Sequence, residues 1–489
     1  MVSYSSRIPL WSLLPGDHIV PAEARASTIG HAADEFPTMT DDQYRRLKND
    51  FIESLDPNAV CALASKHNRG RPCRVVAKAS GSFNVCFFVE FDGKGPEWAV
   101  RIPIEPAFEL LENAWIKVQS EVATMRYLQK ETRIPVPCVF AYGRDVCLTK
   151  SRTRTQMFII SGFVHGHALN KSLLVGAEEQ ARKRFYSQLI DVLTELRGLE
   201  FPVMGSLMPD ADRGSCPHVG PVISMSATTL LQPHHSAAGH PSFQRPPRKP
   251  FASASEYMKY QLSLISGFLL LPVADHTIDD IKEEMFAFRG IEQISQDIFT
   301  SQLDGGPFVL HHLDLRSANI IVDGEFNIKA IIDWEFSGTI PRRLFTPPSW
   351  ITGHDATETD EQIQMHTDFR AVLDEKSKAH ARCRRLREEW YDERTTAEAN
   401  KAFYLAHVLR RPTDVTDVFS AFVAQQHPNK PFDELVSHFF HHNQALTLEA
   451  HRRADQCERY TQHLKDNGLY ETDLDRLLAR SEAFKATWR

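Results

Sequence analysis

Three polar residues in the segment PFVLHHLDLRSANIIVDGEFNIKAIIDWEFSGTIP (307–341) have the types and spacing that phosphoryl transfer needs. Asp314 follows an apolar stretch, Asn319 comes five residues later, and Asp333 ends a second apolar stretch. Carboxylate and amide oxygens of this kind suit Mg²⁺, which in proteins takes one or two carboxylates together with phosphate oxygens and water. A further carboxylate beside them could orient or deprotonate a hydroxyl group, and this is the equipment of phosphoryl transfer.

Two predicted strands should bring these three residues together. Residues 320–322 and 328–332 have the pattern of a hairpin joined by a short turn. In an antiparallel hairpin the start of one strand lies beside the end of the other. Asn319 and Asp333 should therefore converge, and the preceding loop should carry Asp314 to the same end of the sheet. The alternative is that Asn319 is an ordinary turn residue and Asp333 a strand cap.

The residues from 74 to 164 predict a small sheet with one helix. The strands are predicted at 74–78, 85–91, 98–102, 138–142 and 156–164, and an amphipathic helix at 109–130. The turn between the first two strands contains Gly81 and Ser82, Arg101 lies on the third strand, and Glu121 lies on the helix. An ordinary hairpin turn, a surface arginine on an edge strand and a solvent-facing glutamate are the alternative interpretations of these positions.

The 489 residues are enough for more than one packed unit. Residues 1–50 predict an irregular leader and a first helix, residues 51–165 a lobe built on the sheet, and residues 166–489 a mainly helical lobe. Within the helical lobe, residues 203–250 are rich in Pro, Gly, Ser and His and predict a long surface loop. A helix is predicted to resume with Ser255 as its N-cap.

Composition and charge exclude several classes of protein. Apolar residues make up 42% and charged residues 24%, so a largely disordered chain is not expected. The net charge of −7 does not favour a nucleic-acid partner, which needs a basic face. Eight dispersed cysteines favour a reducing environment. No stretch approaches about 20 apolar residues, so we expect no membrane-spanning segment, and the cytoplasm is the predicted location.

The segment 310–335 resembles the aminoglycoside phosphotransferase family. The spacing His312-x-Asp314-x-x-x-x-Asn319 is similar to the catalytic loop that this family shares with protein kinases. The sequence IIDWE, which contains Asp333, is similar to the metal-binding strand end of the phosphotransferases. Protein kinases have Asp-Phe-Gly there, followed by Ala-Pro-Glu, and this chain has neither motif. The resemblance therefore favours the phosphotransferases, and residues 121–143 and 347–350 look like their fungal-type branch.

This resemblance implies an α+β, protein-kinase-like two-lobed fold, with a small β-sheet N-lobe, a mainly helical C-lobe, and ATP and Mg²⁺ as cofactors. Carried over by motif, Asp314 would be the base or the residue that orients the acceptor hydroxyl. Asn319 and Asp333 would hold Mg²⁺, and His312 would brace the loop. Residues 161–164 would form the hinge between the lobes, where backbone groups would bind adenine.

The resemblance also gives roles to the residues of the small sheet. The turn that contains Gly81 and Ser82 would cover the nucleotide phosphates, and Arg101 and Glu121 would contact the nucleotide as a pair. Arg101 departs from the usual pattern, because kinases usually have Lys on this strand. Arginine is always charged and can bridge phosphate and carboxylate in a fork, with a geometry that differs from that of lysine.

Three functions are compatible with these motifs. The first is an ATP-dependent phosphotransferase that acts on an alcohol group of a small molecule, so that a nucleotide and a small-molecule acceptor are the expected partners. The second is a catalytically degenerate nucleotide-binding or interaction protein on the same fold, which Arg101 and the single glycine of the turn would suit. The third is a protein kinase, which the missing motifs disfavour. The sequence does not identify the acceptor.

Overall fold

A computed structural model of the chain describes residues 36–93, 97–210, 217–235, 245–299, 305–355, 359–392 and 396–472, together with residues 478 and 481. Most of the predicted leader (residues 1–35) lies outside the described residues. Residues 211–216 and 236–244 of the predicted long loop also lie outside them.

The described chain begins with two capped helices, α1 (Asp41–Ser54) and α2 (Pro57–His67). Thr40 and Gln43 form a capping box at the start of α1, in which each side chain bonds the other residue's backbone N–H. Asp56 caps α2 through a bond to the backbone N–H of Asn58 at 2.9 Å. Since these caps satisfy N–H groups that have no partner within the helix, both helices begin where local polar residues direct them.

A five-stranded antiparallel sheet in the order β1-β2-β3-β5-β4 follows the two helices. Its elements are β1 (Cys73–Ser80), β2 (Asn84–Phe91), β3 (Glu97–Pro103), helix α3 (Leu111–Glu131), β4 (Val139–Val146) and β5 (Gln156–Gly162). Alternate residues of β2 are buried, as expected for a strand with one face on a core. The predicted order of strands and helix is confirmed. The edge-strand interpretation of Arg101 is wrong, because β3 pairs with both β2 and β5.

Helices dominate the second half of the molecule. They are α4 (Lys171–Val175), α5 (Glu179–Arg197), α6 (Met225–Leu230), α7 (Ala254–Leu269), α8 (Ile278–Ile298), α9 (Ser349–Thr352), α10 (Asp360–Ala379), α11 (Ala381–Tyr391), α12 (Thr396–Arg410), α13 (Val415–Gln426), α14 (Phe432–His441) and α15 (Gln444–Asp466). Short strands lie among them: β6 (His167–Ala168), β7 (Glu200–Phe201), β8 (Leu207–Met208), β9 (His218–Val219), β10 (Phe308–His312), β11 (Ile320–Val322), β12 (Ile328–Ile331) and β13 (Ser337–Ile340). A small sheet-containing lobe and a mainly helical lobe make the α+β, kinase-like fold that the motifs implied.

Two local predictions in the helical lobe are wrong. The segment 203–250 is not a loop throughout, because it contains the β8–β9 hairpin and helix α6, whose Leu230 is fully buried. The Oγ of Ser224 accepts a bond from the N–H of Ala227 and so starts this short helix. Helix α7 is capped by Ser253 rather than Ser255, since the Ser253 hydroxyl bonds the N–H of Glu256.

The hairpin of β11 and β12 has the register that the sequence predicts, with Ile320 opposite Ile331. Strand β6 pairs with the other edge of β11, which makes a three-stranded sheet. Strand β10 lies between β13 and β7 in a second three-stranded sheet. The apolar residues of the hairpin pack into the core of the helical lobe, whereas Phe336, just beyond it, packs into the core of the sheet. The residues around Asp333 are therefore fixed between the two cores. In the part of the chain that the structure describes, no helix is long and apolar enough to cross a membrane.

Candidate active site

Asp314 lies in a loop that a neutral histidine fixes to the neighbouring strand. The backbone N–H of Asp314 donates to Nδ1 of His312 at 3.2 Å, and Nε2 of the same ring lies 2.9 Å from the carbonyl of Ile332. Burial lowers the pKa of His312, so the ring can accept at Nδ1 and donate at Nε2. His312 thus connects the loop of Asp314 with the strand end that carries Asp333.

Hydrogen bonds to Asp314 orient the side chain of Asn319. Its Nδ2 donates to the backbone carbonyl of Asp314 at 2.8 Å and to the Asp314 carboxylate at 3.1 Å. Both bonds use the amide nitrogen, so the amide oxygen is the atom left for a metal ion. The backbone carbonyl of Asn319 accepts from the N–H of Ile332 at 2.9 Å, which brings Asn319 beside Asp333.

Asp333 has a left-handed backbone conformation, with φ of 68° and ψ of 54°. Non-glycine residues adopt this conformation uncommonly, and such residues cluster at functional sites. The next residue, Trp334, is fully buried and donates its indole N–H to the carbonyl of Ile331 at 2.9 Å, which holds the turn in place. The Asp333 side chain lies in the cleft between the sheet and the helical lobe.

Arg101 contacts two predicted site residues, Glu121 and Asp333, at the same time. One terminal nitrogen contacts Glu121, and the other lies 2.8 Å from Oδ1 of Asp333. The Glu121 side chain is only 2% exposed, so the solvent-facing interpretation of this residue is wrong. Arg101 also lies 3.6 Å from the Glu335 carboxylate. A guanidinium fork suits this double contact, which a single ammonium group would make less readily.

A second cation, Lys117, completes this group of charges and was missed from the sequence. Lys117 lies one turn before Glu121 on α3, is 2% exposed, and contacts the carboxylate of Glu335. Its ammonium group also lies 5.3–5.6 Å from the ring centres of three phenylalanines, an arrangement that favours a cation. The i, i+4 spacing from Glu121 places both residues on one face of the helix and is the signal that could have found Lys117.

The five charged side chains of Arg101, Lys117, Glu121, Asp333 and Glu335 are called the charge cluster below. It contains three carboxylates and two cations, so its net charge is −1 when every group is ionised. Burial raises the pKa of Glu121 to about 7, although Arg101 opposes this effect. Burial would also raise the pKa of Asp333, but Arg101 and Lys117 hold it below the usual value. The cluster therefore favours one further positive charge, which a proton or a bound cation could supply.

The turn that contains Gly81 and Ser82 lies over this cluster and is tied to it. The N–H of Gly81 donates to the carbonyl of Asn84 at 2.9 Å, which closes the turn, and both Gly81 and Ser82 are exposed to the cleft. Asn84 donates its side-chain N–H to Glu335 at 2.5 Å. Because Asn84 and Glu335 are 251 residues apart in sequence, only the folded structure reveals that a hydrogen bond links the turn to the strand end.

One cleft of about 1060 Å³ contains all seven residues that the sequence predicted for the site. They are Gly81, Ser82, Arg101, Glu121, Asp314, Asn319 and Asp333. Burial raises the pKa of Asp314, although the nearby Arg316 opposes the shift. The described residues include no cluster of three His, Cys, Asp or Glu side chains that could hold a metal by themselves. Mg²⁺ at a phosphate site needs only one or two protein carboxylates, so Asn319 and Asp333 fit such an ion.

Two curated fungal proteins are similar to parts of this chain. "Clavilactone A biosynthesis cluster protein Y" of Ampulloclitocybe clavipes is 24% identical over 256 residues, which are 51% of this chain and 57% of that protein. "Altered inheritance of mitochondria protein 9, mitochondrial" of Meyerozyma guilliermondii is 32% identical over 100 residues, which are 20% of this chain and 16% of that protein. The chain thus covers less than two thirds of the length of either relative.

The solved structures that are similar to this chain include aminoglycoside phosphotransferases. A protein of Ralstonia eutropha JMP134 assigned to this group is 18% identical, with a TM-score of 0.41 and coverage of 84% of this chain and 99% of that one. The GDP complex of wild-type aminoglycoside 2′-phosphotransferase-IIIa is 12% identical, with a TM-score of 0.40 and coverage of 80% and 93%. The ternary complex of streptomycin, ATP and APH(2″)-IIa is also 12% identical, with a TM-score of 0.37 and coverage of 70% and 85%.

The model of one protein family, described as "Phosphotransferase enzyme family", matches residues 79–343, which are more than half of the chain. The matched range begins at the turn of Gly81 and ends just beyond the strand end of Asp333. It therefore includes every residue predicted for the site. On this match, the chain belongs to the phosphotransferase enzyme family.

Proposed function

We propose that this protein is an ATP-dependent phosphotransferase that transfers the γ-phosphate to a hydroxyl group of a small molecule. The observation that carries the proposal is the meeting of Asp314, Asn319 and Asp333 in one cleft, opposite the pair of Arg101 and Glu121. A pure binding protein has no need of a carboxylate that is held apart from the nucleotide contacts.

The residues of the cleft would have three different roles in phosphoryl transfer. Asn319 and Asp333 would hold Mg²⁺, which when bound offsets the negative charge of the transferred phosphoryl group. Arg101 would bind phosphate oxygens while Glu121 keeps its guanidinium in place. Asp314 would orient the acceptor hydroxyl and accept its proton, since its carboxylate is fixed by Asn319 and remains open to the cleft.

The second candidate is a nucleotide-binding or interaction protein without catalysis. The contact that favours it is the 2.8 Å bond between Arg101 and Asp333, because it uses one carboxylate oxygen that a metal ion could take. The other oxygen of Asp333 stays available, and a phosphate group could draw the guanidinium away. The two candidates therefore differ in what happens at Asp314.

A thermal-shift titration combined with an ATP-consumption screen separates the candidates. Mg·ATP should stabilise wild-type protein and Asp314→Asn alike, because a ligand that binds only the folded state raises its stability. Asp333→Ala should respond weakly. A screen of hydroxyl-bearing metabolites should then find turnover that falls by a factor of roughly 10² or more in Asp314→Asn.

Asp323→Asn is the matched control. Asp323 lies in the turn between β11 and β12, where it accepts bonds from Asn327, and it is not among the residues that line the cleft. This variant should keep both binding and turnover. A wild-type protein that Mg·ATP does not stabilise would rule out the kinase proposal, whereas binding without any Asp314-dependent turnover would favour the second candidate.

A further inference from the structure

Residues of the helical lobe line the part of the cleft next to the loop of Asp314. This part, called the acceptor end below, is formed by Thr229, Phe268, Trp350, His407 and Arg410, among others. Trp350 is fixed beneath the catalytic loop, because its indole N–H donates to the carbonyl of Leu315 at 2.9 Å. Since Arg410 lies close enough to Asp314 for their charges to interact, a molecule bound at this end would lie near the Asp314 carboxylate, as an acceptor must.

Arg410 is the arginine of this end that forms no ion pair with a described residue, although the more distant Asp314 carboxylate attracts it. Its guanidinium donates to Nε2 of His311 at 3.3 Å and to the hydroxyl of Thr346 at 3.4 Å, and both of these partners are uncharged. Burial and Arg410 itself hold the pKa of His311 well below its usual value, so the ring stays neutral. Among the described residues, no carboxylate forms an ion pair with Arg410.

The other arginines at this end form ion pairs. Arg411 is exposed and pairs with Asp414 at 3.7 Å, and Arg316 pairs with Asp314 at 3.2 Å. The carboxylate of Asp355, which also lines the cleft, accepts a bond from the uncharged side chain of Gln362 at 2.6 Å. Of the three arginines that line this end of the described cleft, Arg410 is therefore the one without an ion pair.

The position of Arg410 at a helix end is not enough to stabilise its positive charge. Arg410 is the last residue of α12, and a cation is favoured at a helix C-terminus. Here, however, desolvation lowers the pKa of this half-buried arginine to about 10, so the surroundings disfavour the charge. A cation withdrawn from water in this way is stabilised when an anion pairs with it. The cleft gives room for that anion to come from a ligand.

We propose that the acceptor substrate carries an anionic oxygen group, a carboxylate or a phosphate, which Arg410 binds while the hydroxyl group faces Asp314. The inference rests on the proposed function and specifies its substrate class. An arginine fork matches two oxygens of a carboxylate or phosphate at once. A polycationic acceptor would instead place its charges against Arg410, so this site disfavours amino sugars.

A matched set of three-carbon probes tests the charge of the acceptor. Glycerol, D-glycerate, glycerol 3-phosphate and 3-amino-1,2-propanediol share one backbone and carry a neutral, carboxylate, phosphate or ammonium group. Each is titrated by calorimetry into protein saturated with Mg²⁺ and a non-hydrolysable ATP analogue, so that the nucleotide phosphate sites are filled. At least one anionic probe should bind on the order of 10-fold or more tightly than glycerol, and the better of the two identifies the anion.

Variants of two neighbouring arginines show whether Arg410 is responsible. Arg410→Gln should lose the preference for the anionic probe, Arg410→Lys should keep part of it, and Arg411→Gln should keep it in full. Stabilisation by the nucleotide analogue verifies that each variant is folded, and if Arg410→Gln does not fold, Arg410→Lys decides.

The inference is overturned if neither anion binds more tightly than glycerol, if the ammonium probe binds best, or if the Arg410 variants bind the anion as wild type does. When the analogue still stabilises the wild-type protein, these results leave the proposed kinase activity in place. When the analogue does not stabilise the wild-type protein, the result contradicts the proposed function itself.

Discussion

Replacing Arg101 by alanine tests the charge cluster directly. The substitution removes the cation that contacts Glu121 and lies 2.8 Å from Asp333, and it leaves the Glu121 carboxylate 2% exposed without its partner. Removing one partner of a buried ion pair typically costs about 3–5 kcal/mol, because the other charge stays buried and unpaired. We expect Arg101→Ala to lower the free energy of unfolding by about this amount.

A surface pair on the same sheet provides the control. Arg74 on β1 pairs with Glu90 on β2 at 2.7 Å, but these side chains are 75% and 39% exposed. Exposed ion pairs contribute about 0–1 kcal/mol. Urea unfolding of Arg101→Ala and Arg74→Ala should therefore differ by at least about 2 kcal/mol. Equal effects would show that burial does not govern the Arg101 pair, and the reasoning would be refuted.

The double variant Arg101→Ala, Glu121→Gln separates the loss of contacts from the cost of an unpaired charge. Glutamine fills nearly the same volume as Glu121 but carries no charge, so the double variant should recover part of the stability that Arg101→Ala loses. A double variant less stable than Arg101→Ala would indicate that the two residues do not act as a pair.

The same variants report on nucleotide binding. If Arg101 bonds phosphate oxygens, its removal should weaken Mg·ATP binding by on the order of 1.5–3 kcal/mol, the range for hydrogen bonds to charged groups. That range corresponds to roughly 10- to 150-fold in Kd, which calorimetry resolves easily. Unchanged affinity would place Arg101 outside the nucleotide contacts, whatever its effect on stability.

Three further predictions concern pH and backbone geometry. Burial raises the pKa of Asp314, so this residue should become protonated at a higher pH than an ordinary aspartate. A profile of kcat/KM against pH should therefore show the rate of phosphoryl transfer falling at a correspondingly higher pH as the solution is acidified. Because the pKa of Glu121 in the folded protein is raised from 4.5 to about 7, its contribution to stability is present below pH 4.5 and lost as pH rises through 7. That loss of stability is at most roughly 3 kcal/mol. Urea unfolding should show it as a difference between pH 5 and pH 8 in the wild type, and this difference should be absent in Glu121→Gln. Gly166→Ala should lower Tm by an amount equivalent to about 1–3 kcal/mol, since φ is +145° and a Cβ would lie 2.5 Å from the carbonyl oxygen of Val322.

The parts of the fold that follow from local sequence were predicted well. The first helix was predicted because it begins with a local signal, the capping box of Thr40, which involves only the next three residues. The hairpin of β11 and β12 was predicted with its register, since two apolar strands and a turn fix which ends meet. Helix α6 was missed, because six residues are too few to show a helical period, and Ser224 is the only local sign of it.

Contacts between distant segments set the limit of prediction at the site. Asn84 and Glu335, or Lys117 and Glu335, meet only after both lobes fold, and nothing in either local sequence encodes the partner. Arg410 is harder still to predict, because it ends a helix that is buried on all sides over residues 402–408, almost a hundred residues after Asp314. Motifs located the candidate site residues, whereas the residues that balance charge around them required the structure.

The exchange of lysine for arginine on β3 is best understood together with Lys117. A single lysine can place one ammonium group between a helix glutamate and a phosphate, but the charge cluster here has three carboxylates to satisfy. Arg101 divides its two terminal nitrogens between Glu121 and Asp333, and Lys117 takes Glu335. The arginine is thus matched to a larger acidic cluster, and Arg101→Lys should leave either Glu121 or Asp333 without a direct cation. If Arg101→Lys matched wild type in both unfolding free energy and Mg·ATP affinity, this explanation of the departure would be wrong.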